Sequence, residues 1–215
     1  MIRSTMLLPR LYPILDTETV TSRGIDRIDA ATQILEAGVK ILQFRHKQLF
    51  SREIFADMER IAALCRQVGA RFVVNDRADI ARLLGAALHL GQDDLTPSQA
   101  RCVAGPDACI GYSTHNAEQL QSAASEPADY LALGPIFATS SKMNPDPVVG
   151  IEGLRRLRPL TDRPLVAIGG IRRENARSVL QAGADSVAVI SDLFPEDGNI
   201  RARVEELLAS TAGPT

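Results

Sequence analysis

The sequence predicts a single-domain α/β fold, a (β/α)8 TIM barrel, and three observations carry that prediction. Short apolar runs rich in Val, Ile and Leu recur eight times, each bounded by Gly, Pro, Asp or Asn. Stretches patterned as helices lie between them, and polar residues end nearly every run. Near-continuous apolar strands joined by helices imply a parallel sheet covered by helices, and eight such units close into a barrel. An open doubly wound sheet is the competing architecture, but no GxGxxG opens the first helix as a dinucleotide fold would require.

The elements follow in order. The first run, LYPILD (11–16), leads into the polar stretch TETVTSRG, read as a connection that can cover the mouth, and then into a helix over 26–37. ILQFR (41–45) precedes SREIFADMERIAALCRQVG, where Ile54, Met58, Ile61, Leu64, Cys65 and Val68 form an apolar stripe at helical spacing and Gly69 supplies a stop. RFVVND (71–76), ALHLG (87–91) and CIGYST (109–114) precede helices over 78–84, 97–103 and 116–124. YLALGP (130–135) runs into GPIFATSSKMNPDPVVG (134–150), too long and polar for a minimal loop and suited to a lid, before a helix over 151–158. LVAIGG (165–170) and SVAVISD (186–192) precede helices over 173–182 and 200–209. One domain spans 1–215, with an N-terminal extension over 1–10 and a C-terminal tail over 210–215.

Composition narrows the partners. The 24 Lys and Arg against 26 Asp and Glu give a formal net charge of −2, so no general basic field draws the chain to nucleic acid or an anionic membrane. Any anion site must be local. The three cysteines, Cys65, Cys102 and Cys109, lack a CxxC spacing and read as reduced structural thiols in apolar or helical surroundings. The N-terminus has no apolar core of signal-peptide length and no stretch approaches the roughly 20 apolar residues of a membrane span, which points to the cytoplasm. A homo-oligomer is compatible with these features.

A barrel carries its active site at the C-terminal ends of its strands, so those ends are read together. Gln43, Arg45 and Lys47 are spaced by two and share one face of an extended chain, where a planar Arg fork and a Lys point charge suit phosphate oxygens. A solvated basic turn is the bland alternative. Asp76 and Asp94 come from neighbouring strand ends, without a basic residue four positions on to satisfy either. Hard carboxylate oxygens beside phosphate donors suggest Mg²⁺, although each Asp alone reads as a turn or helix-capping residue. Thr139, Ser141 and Lys142 lie in the long sixth loop. IGGI and VISD end the seventh and eighth strands, where barrels often hold a phosphate on backbone amides. Asn75 and Ser113 complete the polar rim, and a solitary His115 reads as an orienting residue. No Ser-His-Asp or Cys-His nucleophile system stands out, so the rim points to chemistry driven by a leaving group.

In order and spacing, QFRHK, VVNDRAD, LHLGQDD, IGYSTHN, YLALGPIFATSSK, VAIGGI and VAVIS resemble the successive motifs of the thiamine-phosphate synthase family, from about Leu11 to Ser191. The resemblance implies a transferase of thiamine biosynthesis on a (β/α)8 fold. Such an enzyme joins two small molecules, 4-amino-2-methyl-5-hydroxymethylpyrimidine diphosphate and 4-methyl-5-(2-phosphoethyl)thiazole, with Mg²⁺, releasing diphosphate and thiamine monophosphate. By the same resemblance, Gln43, Arg45, Lys47, Asn75, Ser113 and Lys142 would bind the pyrimidine diphosphate, with Arg45, Lys47, Ser113 and Lys142 catalytic. Asp76 and Asp94 would hold the metal, and Thr139, Ser141, Gly170, Ile190 and Ser191 the thiazole phosphate. The family mechanism is dissociative: diphosphate leaves first and the thiazole nitrogen captures the resulting pyrimidine methylene cation.

Two positions depart from the family pattern. Many members carry an acidic residue where this chain has His46, and many have Thr at Ser141. Two rival readings are a thiazole tautomerase-like barrel and a non-catalytic barrel that binds phosphorylated ligands. The joint presence of Asp76, Asp94, Arg45, Lys47 and Lys142 counts against both.

Overall fold

A computed structural model of the chain describes residues 8–139 and 146–213. Eight parallel strands form a closed barrel in chain order: β1 Leu11–Asp16, β2 Ile41–Arg45, β3 Arg71–Asn75, β4 Ala87–Leu90, β5 Ile110–Thr114, β6 Tyr130–Leu133, β7 Leu165–Ile168 and β8 Ser186–Val189. β8 pairs with β1 to complete it. The helices are α1 Thr17–Ser22, α2 Arg27–Glu36, α3 Arg52–Gln67, α4 Ala78–Leu84, α5 Pro97–Ala104, α6 Ala117–Ala123, α7 Gly150–Leu157, α8 Arg173–Gln181 and α9 Ile200–Thr211. No helix among the described residues is long and apolar enough to cross a membrane.

The strands read as continuous apolar runs because both their faces are buried. Outward side chains such as Leu15, Leu42, Phe44, Val74 and Leu88 pack with the helices in one large core, which Ile34, Met58, Ile61 and Val204 join from the other side. Inward side chains form a second, smaller core inside the barrel, including Tyr12, Ile14, Ile41, Val73, Tyr130 and Val166. Burying a large aliphatic or aromatic side chain is worth about 1.5–3 kcal/mol, so both layers matter to stability.

Local signals set the element ends. Asp26, Ser51, Thr96 and Asn116 cap α2, α3, α5 and α6 by accepting backbone N–H bonds, and Thr96 with Gln99 closes a capping box. The expected strands are found, six of them one to three residues shorter, four of these ending at a Gly or Asp that turns the chain out of the ladder. The stretch TETVTSRG, expected as a connection, is instead helical: Asp16 accepts from the Thr19 N–H at 3.0 Å and nucleates α1. That short helix buries only Thr17 and Val20, too few apolar positions to give a periodic signal. Cys102, expected in apolar or helical surroundings, lies on α5 but is exposed, whereas Cys65 is buried in the outer core.

One glycine is dictated by the interior packing. A Cβ at Gly111 would lie 2.1 Å from Cζ of the Tyr130 ring, because Tyr130 on β6 pairs beside Gly111 and sweeps its ring across the barrel. Gly111→Ala is expected to cost about 1–3 kcal/mol through overpacking, read as a lower urea midpoint with an unchanged slope. An unaltered midpoint would show that the interior has slack at Tyr130.

Candidate active site

The strand ends bring the predicted residues to one rim in two arcs. β2 to β5 deliver Gln43, Arg45, Lys47, Asn75, Asp76, Asp94 and Ser113, while β6 to β8 deliver Thr139, Gly170, Ile190 and Ser191. Ser141 and Lys142 lie outside the described residues, and Thr139 is half-buried immediately before them.

The chain turns sharply after β3. Asp76 has a positive φ of 65°, a left-handed conformation that Asp tolerates better than most residues. Its N–H donates to the His89 carbonyl at 2.8 Å, extending the ladder by one bond before the chain reverses. This turn presents the carboxylate to Lys47, whose Nζ lies 2.5 Å from Asp76 Oδ2. Asp94 is held from the other side by the Gly91 N–H, at 2.7 Å from Oδ2. Neither Asp caps a helix: Arg77 occupies the cap position of α4 and Thr96 that of α5. The cation that satisfies Asp76 comes from β2 rather than from its own helix.

Asp76 and Asp94 are near enough for each carboxyl to influence the other's protonation. Burial, then the hydrogen bond to Asp94, push the Asp76 carboxyl up to about 6, while Lys47 pulls against the shift. Two carboxyls crowded in a partly buried site repel when both are ionised, and a cation between them relieves that cost. Among the described residues no cluster of three or more His, Cys, Asp or Glu side chains forms a self-sufficient metal cage. Two carboxylates beside phosphate donors fit Mg²⁺, which commonly takes one or two carboxylates and fills its other positions with substrate oxygens and water.

Arg45 is anchored by Asp16, with Nη1 2.5 Å from Oδ1, and the register aligns the two residues across β1 and β2. Asp16 also accepts from the Thr19 hydroxyl at 2.7 Å, so one buried carboxylate both caps α1 and fixes the Arg45 fork. Asn75 is buried, and its Nδ2 has no hydrogen-bond partner among the described residues. Leaving a buried donor unpaired costs about 1–3 kcal/mol, so an amide of this kind at a site points to a ligand acceptor. His46 turns away from Arg45 and Lys47: its Nδ1 lies 2.8 Å from Thr17 Oγ1 and its Nε2 3.2 Å from the Leu49 carbonyl, tying the start of α1 to the loop after β2. His115 has its Nδ1 2.6 Å from the Gly134 carbonyl.

The second arc is mostly backbone. Gly169 and Gly170 have φ of 100° and 62°, and a Cβ on either would strike the chain at Pro135 to Ala138, 2.5 to 2.7 Å away. The sixth loop therefore lies directly against the glycine turn, with the Phe137 N–H donating to the Gly169 carbonyl at 3.0 Å. Asn175 Nδ2 donates to the Gly170 carbonyl at 3.1 Å, fixing the turn at the start of α8. Ser191 is exposed and opens a one-turn 3₁₀ helix, Ser191–Leu193, directly after Ile190.

Sequence reasoning missed three site-floor residues: Tyr12, His89 and Tyr130. His89 is buried beneath Ser113, its Nε2 2.9 Å from Oγ, and burial lowers its pKa to about 4. It is therefore neutral at neutral pH. Because the folded value lies below the usual 6.5, the unfolded chain takes up a proton first as pH falls. Stability from His89 is fully present above about 6.5 and is lost between there and about 4. At pH 4.5 the parent is expected to have lost about 2 kcal/mol more than His89→Gln relative to pH 7.5, as read by urea unfolding. Parallel losses in the two proteins would refute a buried neutral imidazole.

A family model described as thiamine monophosphate synthase matches residues 11–193. A thiamine-phosphate synthase of Koribacter versatilis is 50% identical over 209 residues, covering 95% of this chain and 97% of its own. The solved thiamine phosphate pyrophosphorylase of Pyrococcus furiosus superposes with a TM-score of 0.83 at 33% identity, over 94% of this chain and 95% of that one. Tryptophan synthase of Mycobacterium tuberculosis, at 17% identity and a TM-score of 0.66 over 94% of this chain and 91% of its own, shares the fold alone. With the motif order, the closed barrel and the two-arc rim, these matches show that the chain belongs to the thiamine monophosphate synthase family.

Proposed function

We propose that the rim joins an aminopyrimidine methyl diphosphate to a thiazole ethyl phosphate, releasing diphosphate and forming thiamine monophosphate. The observation that carries this reading is the meeting of Asp76, Asp94 and Lys47 at one point of the rim, beside the Arg45 fork. Gln43, Arg45, Lys47, Asn75, Ser113 and Lys142 bind the pyrimidine diphosphate in this scheme. Asn75 offers to a ligand acceptor an Nδ2 that has no partner among the described residues. Thr139, Ser141, Gly170, Ile190 and Ser191 take the phosphate of the thiazole.

Asp76 and Asp94 would hold Mg²⁺, which when bound neutralises charge on the diphosphate. Arg45, Lys47 and Lys142 act on the same charge: each stabilises the anion more as it gathers the electrons of the breaking C–O bond. The pyrimidine methylene cation left behind accepts the thiazole nitrogen lone pair, forming the C–N bond. No protein nucleophile takes part. Positioning the second ring before diphosphate departs supplies the rest of the acceleration. The reaction is that of a biosynthetic transferase acting in the cytoplasm on small molecules.

Purified protein supplied with both substrates and Mg²⁺ is expected to release thiamine monophosphate and diphosphate in equal amounts. Asp94→Ala is expected to lower kcat by about 100-fold or more and to flatten its dependence on Mg²⁺. Turnover and metal dependence matching the parent would contradict this assignment of Asp94, and no product from the metal-replete parent would sink the synthase reading.

A further inference from the structure

A chain of hydrogen bonds crosses the barrel beneath the rim and joins Gln43 to Ser113. Gln43 Nε2 donates to the Tyr12 hydroxyl at 3.0 Å, and the Tyr12 and Tyr130 hydroxyls are 2.8 Å apart. Tyr130 lies 3.1 Å from His89 Nδ1, and His89 Nε2 lies 2.9 Å from Ser113 Oγ. Five strands contribute one residue each: β2, β1, β6, β4 and β5. Tyr12, Tyr130 and His89 are 1%, 0% and 7% exposed, so water does not compete for their polar atoms.

The proton inventory gives this chain a direction. Because the Gln43 amide donates to Tyr12, the Tyr12 hydrogen has one partner, the Tyr130 oxygen; pointing it elsewhere would leave a buried hydroxyl donor unpaired. Tyr130 then donates to His89 Nδ1, and the neutral imidazole carries its proton on Nε2 and donates to Ser113 Oγ. Left over at the two ends are Gln43 Oε1 as an acceptor, beside the second Nε2–H of the same amide, and the Ser113 hydroxyl hydrogen as a donor. Turning the Gln43 amide over would reverse every bond and exchange both roles together.

We propose that Tyr12, Tyr130 and His89 are positioning residues that polarise this relay, fixing Gln43 as an acceptor for the pyrimidine amino group and Ser113 as a donor to the diphosphate in one coupled arrangement. This rests on the placement of the pyrimidine diphosphate over Gln43 and Ser113 given above. Its substrate matches the polarity: an exocyclic amino group brings N–H donors and a diphosphate brings only acceptors. A second observation shows that the relay is built into the packing. Gly111 is bare where a Cβ would strike the Tyr130 ring, and the His89 and Tyr130 rings stack with centroids 5.6 Å apart. An apolar filling would close the same volume without polar groups that each need a partner.

The test is a double-mutant cycle in steady-state kinetics, run well below the unfolding temperature of each variant. Tyr130→Phe and Tyr12→Phe keep the rings and delete one hydroxyl each. Either is expected to raise KM for the pyrimidine diphosphate about tenfold while KM for the thiazole phosphate stays within about twofold. Tyr130→Phe combined with Ser113→Ala is expected to be little worse than Ser113→Ala alone, because both changes remove the same oriented donor. Equal rises in both KM values, effects that multiply in the double variant, or no change on Tyr130→Phe would overturn the relay. If Ser113→Ala raises the pyrimidine KM while both Tyr→Phe variants match the parent, the relay fails and the site assignment stands. A Ser113→Ala variant indistinguishable from the parent overturns both.

Discussion

The rim is organised around the contact between Asp76 and Asp94, where two carboxyls meet in partly buried surroundings with Lys47 against one of them. Charges of the same sign do not settle together unless the fold holds them there, and here it does so with local devices. A left-handed residue ends β3, a backbone N–H from Gly91 grips Asp94, and a strand brings Lys47 in from the side. Each device costs something in isolation and is sustained by the closed barrel around it. The apolar layers on both faces of the strands provide that rigidity.

The two arcs of the rim use different chemistry. The β2–β5 arc meets its anion with side-chain charge: the Arg45 fork fixed by Asp16, the Lys47 ammonium and the carboxylate pair. The β6–β8 arc is shaped by backbone, with the sixth loop pressed onto Gly169 and Gly170 so closely that neither tolerates a side chain. A diphosphate that must leave with a full negative charge needs cations that respond to the change. A terminal phosphate that serves only as a handle needs a fixed cradle. This division of labour is consistent with the proposal that the first arc, with Lys142 of the sixth loop, takes the leaving group and the second arc the handle.

Much of the fold was legible in the letters because barrel strands are short, apolar and punctuated. LYPILD and ILQFR end in the structure where the sequence places them, at Asp16 and Arg45. The interior polar layer was not legible, for the same reason that the strands were. A strand buried on both faces shows no alternation of apolar and polar residues, so nothing in LYPILD or ALHLG marks Tyr12 and His89 as inward. Only register places them beneath Gln43 and Ser113. The helical state of Thr17–Ser22 was hidden because its signal is one capping bond from Asp16, not a periodic face. His46 became interpretable once Thr17 and Leu49 were seen on either side of it: it ties the start of α1 to the loop after β2 and does not extend the cationic cluster.

The most direct measurement of the central claim is calorimetric titration of inorganic diphosphate into the parent and into Asp76→Asn and Asp94→Asn, with and without Mg²⁺. If the carboxylate pair holds a metal that bridges to the leaving group, Mg²⁺ will tighten diphosphate binding to the parent by about tenfold or more, and both variants will lose that gain while keeping the metal-free affinity. Equal enhancement by Mg²⁺ in parent and variants, the behaviour expected if the ion only pairs with diphosphate in solution, would contradict the account.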